Sequence, residues 1–167
     1  MSMIRNQSTK HHSRRRLIGA ALALTLALVA APARAADTTS DARVTVASAK
    51  SFEQVSDAVK SLVAKNGMMV MAQVDQGKML SMTGLSLKAT VFLIGNPTVG
   101  KQLFEQNRAV GLYVPLRMAV FTDSDGKTYV QYDKPSALFA QFKSEKIGMI
   151  AQMLDEKLNG LASMAAQ

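Results

Sequence analysis

The sequence contains no cysteine and no tryptophan, and its two histidines, His11 and His12, stand side by side near its start. From residue 36 onward the chain therefore has neither an imidazole nor a thiol. Most hydrolytic and transfer enzymes use one of these groups, or a metal, at the reacting centre. The absence of imidazole and thiol groups from residue 36 onward excludes Ser-His-Asp and Cys-His catalytic sites there. It also excludes zinc sites with nitrogen and sulfur ligands. We therefore expect a domain that is not an enzyme and has no cofactor.

Acidic residues are absent before residue 36, although six of the 20 basic residues lie there. The remainder carries 14 basic and 12 acidic residues, a net charge of +2 instead of the +8 of the whole chain. Proteins that bind nucleic acid through its phosphates need a concentrated basic face, whereas these lysines are scattered. We predict no nucleic-acid partner. Carboxylate or lysine catalysis stays open, but Asp75 and Glu105 show no spacing that indicates a paired site.

Residues 1–35 have the three parts of a cleavable export signal. A basic stretch precedes a 15-residue run at 17–31 that is apolar apart from one glycine and one threonine. Ala33 and Ala35 provide the small side chains that signal peptidase accepts, so we predict cleavage between Ala35 and Ala36. A membrane-spanning helix needs about 20 apolar residues, and this run is shorter. The predicted product is periplasmic or secreted, without stable membrane insertion.

Three consecutive arginines, Arg14, Arg15 and Arg16, precede Leu17 and Ile18. Paired arginines before apolar residues also fit the twin-arginine export pattern. The leucine-rich run suits the general route equally well. The sequence leaves the choice of export route open.

After a short polar leader at 36–42, the pattern of apolar residues predicts one α+β domain at 43–143 and a helix at 144–167. Ser51 and Gln54 form the signature of a capping box at the start of a helix, which Gly67 ends. Strands are predicted at 44–47, 68–75 and 90–95, with Met68, Val70, Ala72 and Val74 on one face of the second. A helix at 99–107 is predicted to turn Leu103 and Phe104 inward.

The turn chemistry of residues 123–126 predicts a β-hairpin between strands at 116–122 and 127–132. Pro135 suits the first turn of a helix. From Ser144 onward a long amphipathic helix is predicted, because apolar residues recur at intervals of three and four. These residues are Ile147, Ile150, Leu154, Leu158 and Leu161.

Residues 51–142 resemble the domain-of-unknown-function 302 family. The matching motifs, in chain order, are Ser51-Phe52-Glu53, Gly67, Ile94-Gly95-Asn96-Pro97 with Gly100, Gly111-Leu112, Pro115-Leu116, Tyr132 and Pro135. The resemblance implies a two-layer α/β sandwich, with a four- to five-stranded sheet and helices mainly on one face, often as a dimer. The family has no agreed activity.

Two departures from the family limit what the resemblance carries over. Members often have a histidine soon after the aspartate of the second strand, where this chain has Gln76 after Asp75. A second histidine is common after the last tyrosine and proline, where this chain reads Phe139-Ala140-Gln141-Phe142. Any role of those histidines is not transferred to this chain.

The first hypothesis for function is a site for an anion or small ligand at the Gly-Asn-Pro turn. A strand that enters a turn and then a helix directs backbone N–H groups outward, where anions are favoured. Asn96, Thr98, Gly100 and Lys101 are the predicted binding residues. The alternative is that Asn96 and Pro97 only form the turn.

Two other hypotheses belong to different classes. Nine methionines lie after residue 36, and thioethers favour Cu(I), so Met68, Met69 and Met71 could bind copper or could simply fill the core. Alternatively, the C-terminal helix or a sheet edge docks a partner or a second copy, since the apolar stripe of that helix has no assigned surface within the resemblance.

Overall fold

The structure is a computed structural model that describes residues 42–167. The predicted export signal, its cleavage site at Ala35 and Ala36, and all but the last residue of the predicted leader lie outside the described residues. Within the described part of the chain each of the first three strands is followed by a helix, the last two strands are consecutive, and two helices come after them. They are β1 (Arg43–Ser48), α1 (Phe52–Lys65), β2 (Met69–Asp75), α2 (Gln76–Ser81), β3 (Ala89–Gly95), α3 (Pro97–Gln106), a 3-10 helix (Arg108–Leu112), β4 (Leu116–Thr122), β5 (Thr128–Asp133), α4 (Pro135–Phe139) and α5 (Glu145–Ala166).

The five strands form one antiparallel sheet in the order β1-β5-β4-β3-β2. Strands β2 to β5 follow one another as neighbours, and β1 joins at the far edge beside β5. This arrangement confirms the predicted α+β fold and the upper end of the predicted number of strands.

The core lies between the sheet and the two long helices, α1 and α5. Alternate residues of β3, β4 and β5 are buried on this face, as expected for a sheet covered on one side. The apolar side chains of α1 and α5 complete the same cluster. Its largest fully buried side chains include Phe92, Ile94, Met118, Val59, Ile147 and Leu158.

Local capping signals in the sequence place the ends of several elements correctly. The Ser51 hydroxyl accepts from Gln54 N at 3.2 Å, and Ser51 N donates to the Gln54 side chain at 2.9 Å, which confirms the capping box. Gly67 follows α1 with a positive φ of 66°, a conformation that favours glycine. In the hairpin, Asp123 accepts the N–H groups of Asp125 and Lys127, so it serves turn formation.

The face assignment predicted for β2 is wrong beyond Val70. A β-bulge at Met71 shifts the register between Val70 and Ala72. An extra residue in one strand reverses the alternation of side chains that follow it. Ala72 and Val74 therefore pair with Leu93 and Val91 and share their face, away from the core.

Helix α3 turns one predicted core residue outward. Leu103 is 1% exposed and belongs to the core, as predicted, whereas Phe104 is 44% exposed. Adjacent residues on a helix point about 100° apart, so a narrow contact with the core accommodates one of them. The prediction for Phe104 is therefore wrong.

The apolar stripe of α5 is covered by its own domain. All five residues that define the stripe are buried, with exposures between 0% at Ile147 and 8% at Ile150. The helix contacts α1, α4, β1 and β5, and the Ser48 hydroxyl donates to the Ala166 carbonyl at 2.6 Å. The hypothesis that this stripe docks a partner is therefore wrong, since the stripe is already part of the core.

Candidate functional site

The Gly-Asn-Pro turn joins β3 to α3, and the Asn96 side chain organises it. Asn96 Oδ1 accepts from Thr98 N at 2.8 Å and from Val99 N at 3.1 Å. Its Nδ2 donates to the Gly67 carbonyl at 2.6 Å. Asn96 therefore caps α3 and links it to the turn after α1.

The backbone amides predicted to face an anion are satisfied within the chain. Thr98 N donates to Asn96 Oδ1, and Gly100 N donates to the Asn96 carbonyl at 2.8 Å. Lys101, the predicted source of positive charge, lies 3.8 Å from Glu105 in an exposed pair one helical turn away. The amide-based anion site is therefore corrected: its donors already have acceptors, which leaves the turn with its structural role.

A cavity of about 180 Å³ lies beside the same turn. It is formed where the end of β3, the first turns of α3, the bulge of β2, the segment before β4 and the middle of α5 meet. Most of its surface is apolar. The lining residues are Met68, Met71, Ile94, Gly95, Asn96, Pro97, Val99, Gly100, Leu103, Phe104, Val114, Pro115, Leu116, Met153, Leu154 and Lys157. Two of the predicted binding residues, Asn96 and Gly100, line the cavity, whereas Thr98 and Lys101 do not.

Two glycines of the family motifs allow lining side chains to lie against the backbone. A Cβ added at Gly95 would stand 2.8 Å from Met71 Cε and 3.2 Å from Met71 Sδ. A Cβ at Gly111 would stand 3.1 Å from Phe104 Cζ. Because real Cβ atoms rarely come this close, each glycine provides the space in which the neighbouring side chain sits.

The structure regroups the methionines that were predicted as copper ligands. Met68 and Met71 both line the cavity, but Met69 pairs with Gly95 on β3 and is 50% exposed. Met153, from the distant α5, joins the first two. The predicted trio is therefore wrong as a cluster, and the side chains that share a cavity are Met68, Met71 and Met153.

Lys157 is the charged residue among those that line the cavity. It is partly buried, and its Nζ donates to the Asn66 carbonyl at 3.2 Å. A lysine ammonium group has three hydrogens, so this bond leaves donor capacity. The other polar side chain in the lining, Asn96, already uses both its oxygen and its nitrogen.

Sequence reasoning missed the contribution of α5 to this site. Met153, Leu154 and Lys157 lie more than 50 residues after the turn. Met153 and Lys157 are four residues apart and therefore share one helix face. The sequence spacing predicts this shared face. Nothing local in the sequence indicates which other segment of the fold that face contacts.

No group of three or more histidine, cysteine, aspartate or glutamate side chains within residues 42–167 could hold a metal ion. The described range also contains no helix with the length and apolar character needed to cross a membrane.

The antiparallel sheet covered by two long helices defines the described part of the chain as an α+β domain, with a cavity at the end of β3. The family described as "Domain of unknown function DUF302" matches residues 44–165. The chain belongs to this family. The match is wider than the predicted 51–142, because it includes β1 and nearly all of α5, so the C-terminal helix is part of the family domain.

The chain is also similar to part of several named proteins. It is 33% identical over 96 residues to "Fluoride-specific ion channel FluC 1" of Brucella suis biovar 1 (strain 1330), a match that covers 57% of this chain and 38% of the relative. A protein with the same name in Brucella abortus biovar 1 (strain 9-941) matches at 33% over 96 residues, covering 57% of this chain and 36% of that protein. This chain therefore spans well under half the length of these relatives.

A solved structure supports the fold. The crystal structure of an uncharacterized conserved protein of the same family from Bacillus stearothermophilus superposes with a TM-score of 0.69. The superposition covers 75% of this chain and 98% of that chain, with 18% sequence identity. At this identity the likeness establishes the fold alone.

Proposed function

We propose that this chain is an exported accessory domain that binds a small apolar molecule in the cavity between the Gly-Asn-Pro turn and α5. The observation that carries the proposal is the cavity itself, about 180 Å³ and lined by side chains from five separate segments. A cavity of about 150 Å³ with apolar walls accommodates benzene in another protein. One aromatic ring is therefore the size of ligand that this site fits.

The composition supports a binding role over a catalytic one. Among residues 42–167 the groups that most often transfer protons, histidine and cysteine, do not occur. The lining residues are mainly apolar, and ligand sites of this kind use a few polar groups to orient the ligand.

The named relatives favour an accessory role. Most of each fluoride-channel chain lies outside the segment that matches this chain. Fluoride binding at the turn would need free hydrogen-bond donors, and the amides of Thr98, Val99 and Gly100 already have acceptors. We therefore do not extend fluoride transport to this chain.

The cavity is tested by titrating benzyl alcohol into protein labelled with ¹³C at the methionine methyl groups. We expect the Met71 and Met153 signals to shift with a dissociation constant of about 1 mM or below, which corresponds to roughly 4 kcal/mol for a molecule of this size. Met69, Met79 and Met82 do not line the cavity and serve as internal controls. Uniform or absent shifts would contradict the proposal.

A substitution that fills the cavity provides the matched variant. Gly100 lines the cavity, and a Cβ at this position meets no heavy atom within 4 Å. Gly100→Leu is expected to weaken benzyl alcohol binding at least tenfold. Gly148 is also a helical glycine with open space around its Cβ, but it lies outside the cavity. Gly148→Leu should leave binding unchanged.

The export part of the proposal has its own test. The mature protein isolated from the producing cell should begin at Ala36 and should be recovered from the periplasm or the medium. Mass spectrometry of the intact chain measures this directly. A cytoplasmic product that retains residues 1–35 would overturn it.

A second candidate function, copper(I) binding, is favoured by the meeting of Met68, Met71 and Met153 in the cavity. Three thioethers form a soft ligand set that selects Cu(I). Anaerobic titration should then show binding tighter than micromolar that is lost in Met71→Leu and Met153→Leu. Met69→Leu, which changes a methionine outside the cavity, is the control. Binding weaker than micromolar would remove this candidate.

A further inference from the structure

The charge of the cavity lining narrows the class of ligand further than the cavity volume does, because the lining carries positive charge and no negative charge. Lys157 stands among the lining residues, and none of the lining residues is acidic. The acidic neighbours of Lys157 on α5, Asp155 and Glu156, do not line the cavity. Asp155 instead accepts the Ser136 N–H at 3.0 Å.

Lys157 is held in place at this position. Its bond to the Asn66 carbonyl joins α5 to the turn after α1, and that turn is in turn bonded to Asn96 through the Gly67 carbonyl. The ammonium group therefore has a defined location beside an apolar space. Its remaining hydrogens are able to donate to an acceptor inside that space.

We propose that the ligand is a small anion with an apolar body, a single aromatic ring or short chain that carries one carboxylate. The apolar body occupies the space between Met71, Leu103 and Leu154, and the carboxylate accepts a hydrogen bond from Lys157. This inference rests on the proposed function, because it names the class of molecule that the same cavity takes. It also moves the anion from the predicted Lys101 to Lys157.

The other polar groups of the site do not offer an equivalent partner. Asn96 has both side-chain atoms in hydrogen bonds. Lys101 does not line the cavity and pairs with Glu105. A carboxylate held in a partly buried site needs such a charged donor, since burial without one is costly.

The test compares benzoate with benzyl alcohol, which has the same ring and no charge, on the full mature chain. Hydrogen bonds to charged groups are strong enough that we expect benzoate to bind about tenfold more tightly. The preference should fall as the salt concentration rises, because a partly exposed ion pair is screened. Methionine methyl shifts measure both affinities and locate each ligand.

Substitutions of Lys157 and Lys101 test whether the charge of Lys157 causes the preference for benzoate. Lys157→Gln should remove the tenfold preference, so that benzoate binds no more tightly than benzyl alcohol. Lys157→Arg, which keeps the charge, should retain most of the preference. Lys101→Gln is the matched control and should change neither affinity.

Each outcome decides a different question. If benzyl alcohol binds and benzoate binds no more tightly, the anion inference fails and the proposed apolar site stands. If the preference disappears in Lys101→Gln and persists in Lys157→Gln, the anion sits at the turn, and this assignment is overturned. If neither molecule binds, the proposed function fails together with the inference.

Discussion

At the scale of single residues, Asn96 has a structural role that is measurable apart from any ligand. Its oxygen caps α3 through two N–H groups, and its nitrogen bonds to the Gly67 carbonyl. The first contact is local, and the second joins positions that are 29 residues apart. The two contacts respond differently to substitution.

Asn96→Ala is expected to lower the free energy of unfolding by about 2 kcal/mol, since it removes a helix cap and leaves a carbonyl without its donor. Asn96→Asp keeps the capping oxygen and should cost about 1 kcal/mol. Urea denaturation of both variants measures the difference. Equal losses would show that the cap contributes nothing to stability, and an Asn96→Asp variant as stable as the unmodified protein would show the same of the contact with Gly67.

Tyr132 gives the domain a dependence on alkaline pH. It is 3% exposed, and burial, followed by the nearby charge of Asp155, raises its pKa to about 12. A raised pKa in the folded state means that the stabilising contribution is complete below the unfolded pKa of about 10 and is lost as the pH rises toward 12.

The change that isolates this effect is Tyr132→Phe. Between pH 8 and pH 11 the unmodified protein should lose about 1 kcal/mol more unfolding free energy than Tyr132→Phe does. Comparison with the variant removes the contributions of lysines and of the other tyrosines. A parallel pH dependence of the two proteins would show that Tyr132 ionises as easily in the folded state as in the unfolded chain.

At the scale of elements, α5 is a core helix that also brings a wall to the cavity. Its buried side chains contact α1 and the sheet, while Met153 and Lys157 face the cavity. Under the proposed function, stability and binding depend on different residues of this helix, except for Leu154, which belongs to both the core and the cavity lining. Substitutions on α5 should separate the two properties.

Leu158→Ala is expected to lower the unfolding free energy by about 3 kcal/mol, because Leu158 is 1% exposed and truncation leaves a void in the core. Met164→Ala, at a position that is 45% exposed, should cost well under half as much. Thermal and urea denaturation measure both. A neutral effect of Leu158→Ala would indicate that α5 is not packed on its own domain.

At the scale of the whole molecule, the sheet has two unlike faces. One face is covered by α1 and α5, whereas Val91, Ala119, Phe121 and Gln131 on the other face are only half-buried by the described residues. Val91, Ala119 and Gln131 lie side by side across the three central strands. We propose that the homodimer implied by the family resemblance forms through this face, since a two-fold interface places one surface against its own copy.

Light scattering of the mature protein should then give the mass of a dimer. Ala119→Arg places a large charged side chain at the centre of the face and should yield a monomer with an unchanged circular dichroism spectrum. Ala64→Arg introduces the same side chain at an exposed position on α1 and should leave the dimer intact. A monomeric unmodified protein would remove the proposed interface.

The sequence by itself determined which segments become helices and strands and where most of them end. The signals at Ser51 with Gln54, at Gly67 and at the Asp123 turn act through contacts within four residues. Local hydrogen bonds and the periodicity of apolar residues are legible without knowledge of the fold. The predicted α+β class followed from these signals, whereas the family resemblance rested on matching motifs such as Ile94-Gly95-Asn96-Pro97.

Only the tertiary structure decided what the turn at Asn96 adjoins. The bulge at Met71 reversed the faces of β2, and the packing of α5 brought Met153 and Lys157 to residues more than 50 positions earlier. A cavity is the space left where separate elements meet, so it depends on contacts between distant segments. Local patterns carry no record of those contacts, which is why the sequence predicted an anion beside Lys101, whereas the structure shows that Lys157 and not Lys101 lines the cavity.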